Sequence, residues 1–215
     1  MYRYVTDKNF LKKAYSKSAD IVNRFKQALQ NAGVECEILV VGSMGRNMVT
    51  QNGNQPIDFD FNLLIPSIYK YDAQKLREFA QSVLDDILLS MGEKNCSDST
   101  SVLSTRLMRV DGFRTQFKVD ICIVARDQFS QLNRLIHDKS GVAWGRVYWN
   151  INRDFSNLDR KEKYLKPKYW NEVRETYIEK KNLYLRQNDH DHPSFVCYIE
   201  AVSEVYNKHF NGFLL

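Results

Sequence analysis

Apolar residues recur at three- and four-residue spacing between Thr6 and Ala32, where Ala14, Ile21 or Val22, Phe25 and Leu29 share one face. That period predicts a helix, capped by Thr6 or Asp7 and stopped by Gly33. A β-rich run from Glu35 to Val41 reads as a buried strand that ends at Gly42-Ser43. Residues 44–56 hold Gly45, Asn47, Asn52, Gly53, Asn54 and Pro56, the composition of a loop. Ile57 to Ile65 then alternates. Ile57, Phe59 and Phe61 fall on one side of a strand, Asp58, Asp60 and Asn62 on the other. A second amphipathic helix is predicted from Asp72 to Met91, with Asp72 as cap, Gly92 as stop, and Leu76, Phe79, Val83 and Ile87 or Leu88 as its stripe.

Two further β-rich runs, Ser101 to Val110 and Phe113 to Val124, flank Asp111-Gly112 and read as a hairpin. The second run places Lys118, Asp120 and Cys122 on one face and Val119, Ile121 and Ile123 on the other. After Asp127 the pattern changes to a short helix near Gln128–His137, an aromatic stretch with Trp144 and Trp149, and a polar stretch over 153–166. Helices over Pro167–Arg186 and Pro193–Phe210 follow, the last with Phe195, Ile199, Val202 and Tyr206 in register. The order is α-β-β-α-β-β and then a mainly helical remainder. This predicts an α+β fold with a mixed or antiparallel sheet flanked by helices, divided into a core over 1–127 and a helical part over 128–215.

Composition narrows the classes. Of 215 residues 43% are hydrophobic and 27% charged, enough apolar material for a core and too much for disorder. A net charge of +5 is compatible with polyanionic partners, but no dense Lys/Arg cluster marks a nucleic-acid arm. Cys36, Cys96, Cys122 and Cys197 have neither zinc-site spacing nor that of a disulfide framework, and read as buried free thiols in a reducing compartment. No run approaches the ~20 apolar residues of a membrane span, so a soluble cytoplasmic protein is expected.

The acids change the picture most. Asp58 and Asp60 stand two apart on one face of a strand, roughly 7 Å along the chain. Asp120 lies in the middle of an apolar strand, where an ionised carboxylate needs a partner. If the strands are neighbours, a cation between the three acids resolves the cost. Oxygen ligands with open positions suit Mg²⁺. Gly42 permits close backbone approach, and the Ser43 hydroxyl with nearby N–H groups can bind a phosphate oxygen.

Taken together, VVGSMGR, IDFDF and FKVDICI resemble the nucleotidyltransferase superfamily related to DNA polymerase beta. The stretch from Gly42 to Asp60 is most similar to the branch containing oligoadenylate synthetases and cyclic-dinucleotide synthases. Met48 stands where that branch has Thr, and Asn47 where Gly is common. The resemblance covers about residues 35–125. It implies a transferase that moves a nucleoside monophosphate from ATP or GTP to a hydroxyl, with a nucleotide or RNA as acceptor, and releases pyrophosphate. It implies two Mg²⁺ or Mn²⁺ ions held by Asp58, Asp60 and Asp120, a triphosphate held by Gly42, Ser43 and Arg46, and a catalytic role for the three acids. It also implies a second wall built by C-terminal helices, for which Arg174, Tyr177, Lys180, Lys181 and Tyr184 are candidates. The competing readings are a catalytically silent module that binds nucleotide or protein, and an antitoxin-like minimal transferase acting on a protein or small molecule. His190-Asp191-His192 reads as a surface loop rather than a zinc site, and the Trp144/Trp149 pair as packing rather than a base platform.

Overall fold

A computed structural model describes residues 1–151, 156–189 and 192–210. In chain order the elements are β1 (Tyr2–Tyr4), α1 (Lys8–Asn31), β2 (Glu37–Val40), α2 (Gly42–Gly45), β3 (Thr50–Asn52), β4 (Ile57–Ile65) and α3 (Ala73–Ser90). Then come β5 (Ser97–Asp98), β6 (Leu103–Ser104), β7 (Phe117–Arg126), β8 (Leu132–His137), β9 (Val147–Ile151), α4 (Ser156–Leu165), α5 (Trp170–Arg186) and α6 (Ser194–Phe210). The fold is α+β with a mixed sheet and a helical C-terminal part, as the sequence predicts.

Contacts divide the chain into two compact units. The larger comprises Val5–Val49 and Asn54–Asn152; the other comprises Met1–Tyr4, Thr50–Gly53 and the described part of Arg153–Leu215.

The larger unit is built on a seven-stranded sheet in which β2, β4, β7, β6 and β5 are successive neighbours, and β8 joins β7 to β9. β4 and β7 run parallel and the other pairs antiparallel. The β4–β7 register matches like with like. Ile57 faces Phe117, Phe59 faces Val119, and Phe61 faces Ile121. All six are buried, in one cluster with Phe10, Ala14, Ile21, Phe25 and Leu29 of α1 and Leu76, Leu84 and Leu88 of α3. Each fully buried side chain of this size contributes about 1.5–3 kcal/mol, so one sheet face is strongly specified. Period-2 alternation then fixes which residues of β4 and β7 occupy the opposite face. α1 starts where Asp7 accepts the amide of Phe10, and α3 where Asp72 accepts that of Lys75.

Several local expectations are corrected. The segment expected to be a helix near 128–137 is strand β8. Asp127 Oδ1 accepts the amides of Phe129 and Gln131, and Ser130 takes φ 61°, so the chain reverses there and pairs with β7. β2 is a largely exposed edge strand, not a buried one. The α3 stripe keeps Leu76 and Leu88 but is shifted between them. Arg77, Ala80 and Leu84 are buried where Phe79 is exposed. In α6 the buried face is Cys197, Tyr198, Ala201, Val202 and Val205, with Phe195 exposed. Helix α4 lies in the stretch read as polar. Its inward positions are Leu158, Glu162 and Leu165, a sparse helical stripe with just two apolar members. The Ser101–Val124 hairpin is present in looser form, with β6 on β7 and a bridge from Met108 to Phe117.

In the smaller unit, β1 pairs with β3, and α5 packs against α6 and β1. Asn182 accepts the amide of Tyr2 and donates to its carbonyl. Lys181 is buried, bonds Thr50 Oγ1 at 2.8 Å and lies 3.9 Å from the Tyr2 ring centroid. All four cysteines are buried and unbridged. Among the described residues no helix is long and apolar enough to cross a membrane.

Candidate active site

The sheet face opposite the α1/α3 core carries the acids. In the β4–β7 register Asp60 is the partner of Asp120, and Asp58 that of Lys118. Neighbouring strands lie about 4.8 Å apart, so Asp60 and Asp120 are side by side on one surface, with Asp58 one pleat away on the same strand as Asp60. On the far side of β7, Ser104 of β6 is the register partner of Asp120. Its hydroxyl donates to Asp120 Oδ1 at 2.6 Å.

The turn after β2 closes on the same place. Val41 donates its amide to the Asp60 carbonyl at 3.0 Å, which ties the end of β2 to the middle of β4. Gly42 follows at φ 65°, in the left-handed region. A Cβ built there would lie 2.1 Å from Asp60 Oδ2, so a side chain and that carboxylate cannot both fit. Glycine at this position is thus required twice, by its backbone angle and by the carboxylate seated against it. The single helical turn Gly42–Gly45 then carries Ser43, and Arg46 reaches back to donate to the Gly42 carbonyl at 3.0 Å. Asn47, where Gly is common in the resembling branch, takes φ 56°, a conformation Asn tolerates better than most residues. Met48 is buried and donates its amide to the Ser43 carbonyl at 2.8 Å, closing the loop.

Lys118 shares the acidic face. Its ammonium lies 2.9 Å from Asp120 Oδ2 and 3.7 Å from Asp58 Oδ1. Burial works against the lysine's charge, but the hydrogen bond to Asp120 and the negative charges of Asp120, Asp58 and Asp60 hold its pKa above the ordinary value. Burial, then the charges of Asp120 and Asp58, push Asp60 up to about 6, with Lys118 and Arg46 opposing.

Gly42, Ser43, Arg46, Asp58, Asp60 and Asp120 all belong to the larger unit, and its β2–α2 turn and β4–β7 register bring Gly42, Asp60 and Asp120 together. The carboxylates fit a hard divalent cation by donor chemistry, and the like-charge strain on Asp60 is what such an ion relieves. Among the described residues no three acidic, His or Cys side chains already converge on one point for a metal. Lys118 and Ser104 were not legible as partners of Asp120. The alternation puts Lys118 on the right face, but the pairing of β6 with β7 in this register has no local signature.

The other candidates have structural partners within the smaller unit. The Arg174 guanidinium lies 4.0 Å from the Tyr4 ring centroid. Lys180 pairs with Glu204 at 2.8 Å, and the Tyr184 hydroxyl donates to Glu200 at 2.8 Å. His192 stacks on Tyr184 and pairs with Asp189; His190 and Asp191 lie outside the described residues, as do 152–155 of the polar stretch. Trp149 packs against the core of the larger unit, whereas Trp144 is exposed.

No protein-family model and no curated protein matches the sequence. Solved structures do match by fold. CdnE c-UMP-AMP synthase of Rhodothermus marinus, determined with Apcpp and Upnpp, aligns over 91% of this chain and 69% of its own at 14% identity, TM-score 0.56. CdnC of Escherichia coli MS115-1, in complex with HORMA-deltaN, aligns over 89% of this chain and 57% of its own at 15% identity, TM-score 0.54. The GTP-bound form of DncV of Vibrio cholerae aligns over 83% and 46% at 13% identity, TM-score 0.51. The chain spans 57% of the length of the CdnC chain and 46% of that of the DncV chain. The chain thus shares its fold with the Rhodothermus marinus c-UMP-AMP synthase, with CdnC and with DncV.

Proposed function

We propose that this chain is a metal-dependent nucleotidyltransferase. It moves a nucleoside monophosphate from ATP or GTP to a hydroxyl acceptor, a nucleotide or RNA, and releases pyrophosphate. The observation that carries this reading is the register of Asp60 against Asp120, with Asp58 on the same face and Gly42 seated against Asp60. The fold shared with nucleotide-bound synthases supports it.

In this reading Asp58, Asp60 and Asp120 hold two Mg²⁺ or Mn²⁺ ions. When bound, those ions neutralise triphosphate charge and align the attacking and leaving oxygens. The chain's own residues do the rest. The turn at Gly42 and Ser43, with the Arg46 guanidinium, meets the triphosphate. Asp120, fixed by Ser104, faces the proton that leaves the acceptor hydroxyl. Four buried, unbridged thiols support a reducing compartment such as the cytoplasm.

The test is incubation with Mg²⁺ or Mn²⁺, each labelled nucleoside triphosphate, and nucleotide and RNA acceptor pools, reading pyrophosphate and identifying product by mass spectrometry. Release is expected from wild type and not from Asp58→Ala, which should keep its fold by circular dichroism. Absence of pyrophosphate with every acceptor pool would sink the enzyme reading.

A further inference from the structure

Lys118 is placed where it competes with the cation that its neighbours would hold. It projects from β7 on the acidic face, between the outer two members of the set. Its Nζ is 2.9 Å from Asp120 Oδ2 and 3.7 Å from Asp58 Oδ1, while Ser104 takes the other oxygen of Asp120. A divalent ion would need oxygens of the same two carboxylates at about 2.0–2.1 Å. An ammonium 2.9 Å from one of those oxygens and 3.7 Å from the other would stand next to a double positive charge, so the two cations compete for them. The lysine has room to yield. Its side chain is 32% exposed, and its stem is flexible.

We propose that Lys118 is a resident counter-cation that competes with the divalent ion for Asp58 and Asp120, so that the nucleotide-free chain binds metal more weakly than its three carboxylates would alone. The proposal rests on the metal-dependent reading above. It concerns affinity for the ion, not turnover.

Mn²⁺ binding, followed by the electron paramagnetic resonance of free Mn²⁺, tests it on the intact chain without nucleotide. Lys118→Met should bind Mn²⁺ at least about tenfold more tightly than wild type, equivalent to about 1.4 kcal/mol. Lys118→Arg keeps a cation in place and should stay near wild type. Asp58→Ala should weaken binding in either background, which locates the ion. Added Mn²⁺ should raise the melting temperature of Lys118→Met more than that of wild type. If Lys118→Met does not fold, Lys118→Gln takes its place in both measurements. Equal Mn²⁺ affinity in wild type and the neutral variant overturns the counter-cation role and leaves the metal reading standing. Failure of every variant to bind Mn²⁺ overturns both.

Discussion

Gly42 and Asp60 compete for one volume. A Cβ on Gly42 would lie 2.1 Å from Asp60 Oδ2 and 2.8 Å from its Cγ, and the backbone there has φ 65°. Gly42→Ala must therefore push the carboxylate aside or move the turn. The left-handed backbone alone costs an alanine about 1–2 kcal/mol. Displacing a reactive group by about 1 Å costs on the order of 100-fold in rate. Gly42→Ala should thus lose pyrophosphate release by two orders of magnitude or more, while the urea midpoint shifts by an amount matching about 1–3 kcal/mol. A variant with full turnover would separate Asp60 from the chemistry.

Asp60 also sets a pH dependence. Its pKa of about 6 in the fold stands above the 3.8 of an unperturbed carboxyl, because burial and the charges of Asp120 and Asp58 disfavour ionisation. Between about pH 4 and 6 the folded chain therefore binds more protons than the unfolded one, and stability falls as pH rises through that window. Above it the loss is complete, on the order of 2–3 kcal/mol. Asp60→Asn should flatten this part of the stability curve and raise the urea midpoint at pH 7, while abolishing turnover. Added Mg²⁺ should stabilise wild type above pH 6 and leave Asp60→Asn nearly unchanged.

The sites where sequence reading succeeds and fails have a common physical basis. Ile57–Ile65 is legible to the residue because one face must be buried and the period is 2, so Asp58 and Asp60 could point one way alone. Asp120 was legible for the same reason. What joined the two strands, the parallel register of Asp60 to Asp120, depends on pairing across 60 positions and leaves no local trace. The face of α3 went wrong where a buried charge takes an inward place. Arg77 is 2% exposed in α3, and a reading by hydropathy assigns Phe79 instead. β8 was missed because an Asx turn at Asp127, not the composition of LNRLIH, decides the chain reversal.

Arg77 is the next test. Its Nε donates to Asp98 Oδ1 at 3.0 Å, its Nη1 to the Leu135 carbonyl at 3.2 Å, and its Nη2 to the Ser99 and Val102 carbonyls at 2.6 and 3.3 Å. One guanidinium thus ties α3 to the β5–β6 turn and to β8. Arg77→Met would leave a nearly buried Asp98 without its main counter-charge and three carbonyls without this donor. The expected loss is about 3–5 kcal/mol in chemical denaturation. Arg77→Lys restores charge but not the fork of donors, and should recover just part of it. A loss under 1 kcal/mol for Arg77→Met would show that His137 and Lys139, which also contact Asp98, suffice.

Ser104 is expected to act through Asp120. It is 7% exposed and gives its hydroxyl to Asp120 Oδ1 at 2.6 Å, opposite the oxygen that meets Lys118. A hydrogen bond to a charged group of this kind is worth about 1.5–3 kcal/mol. Ser104→Ala frees the carboxylate to rotate about its χ2, which in the proposed reaction misaligns the oxygen facing the acceptor proton. It should lower kcat by about 10- to 100-fold with little change in the KM for nucleoside triphosphate, because Gly42, Ser43 and Arg46 remain in place. Ser104→Thr keeps the hydroxyl on a β-branched residue suited to a strand and should restore most of the rate. A change confined to the nucleotide KM would instead mean that Ser104 contacts the nucleotide directly and has no positioning role at Asp120.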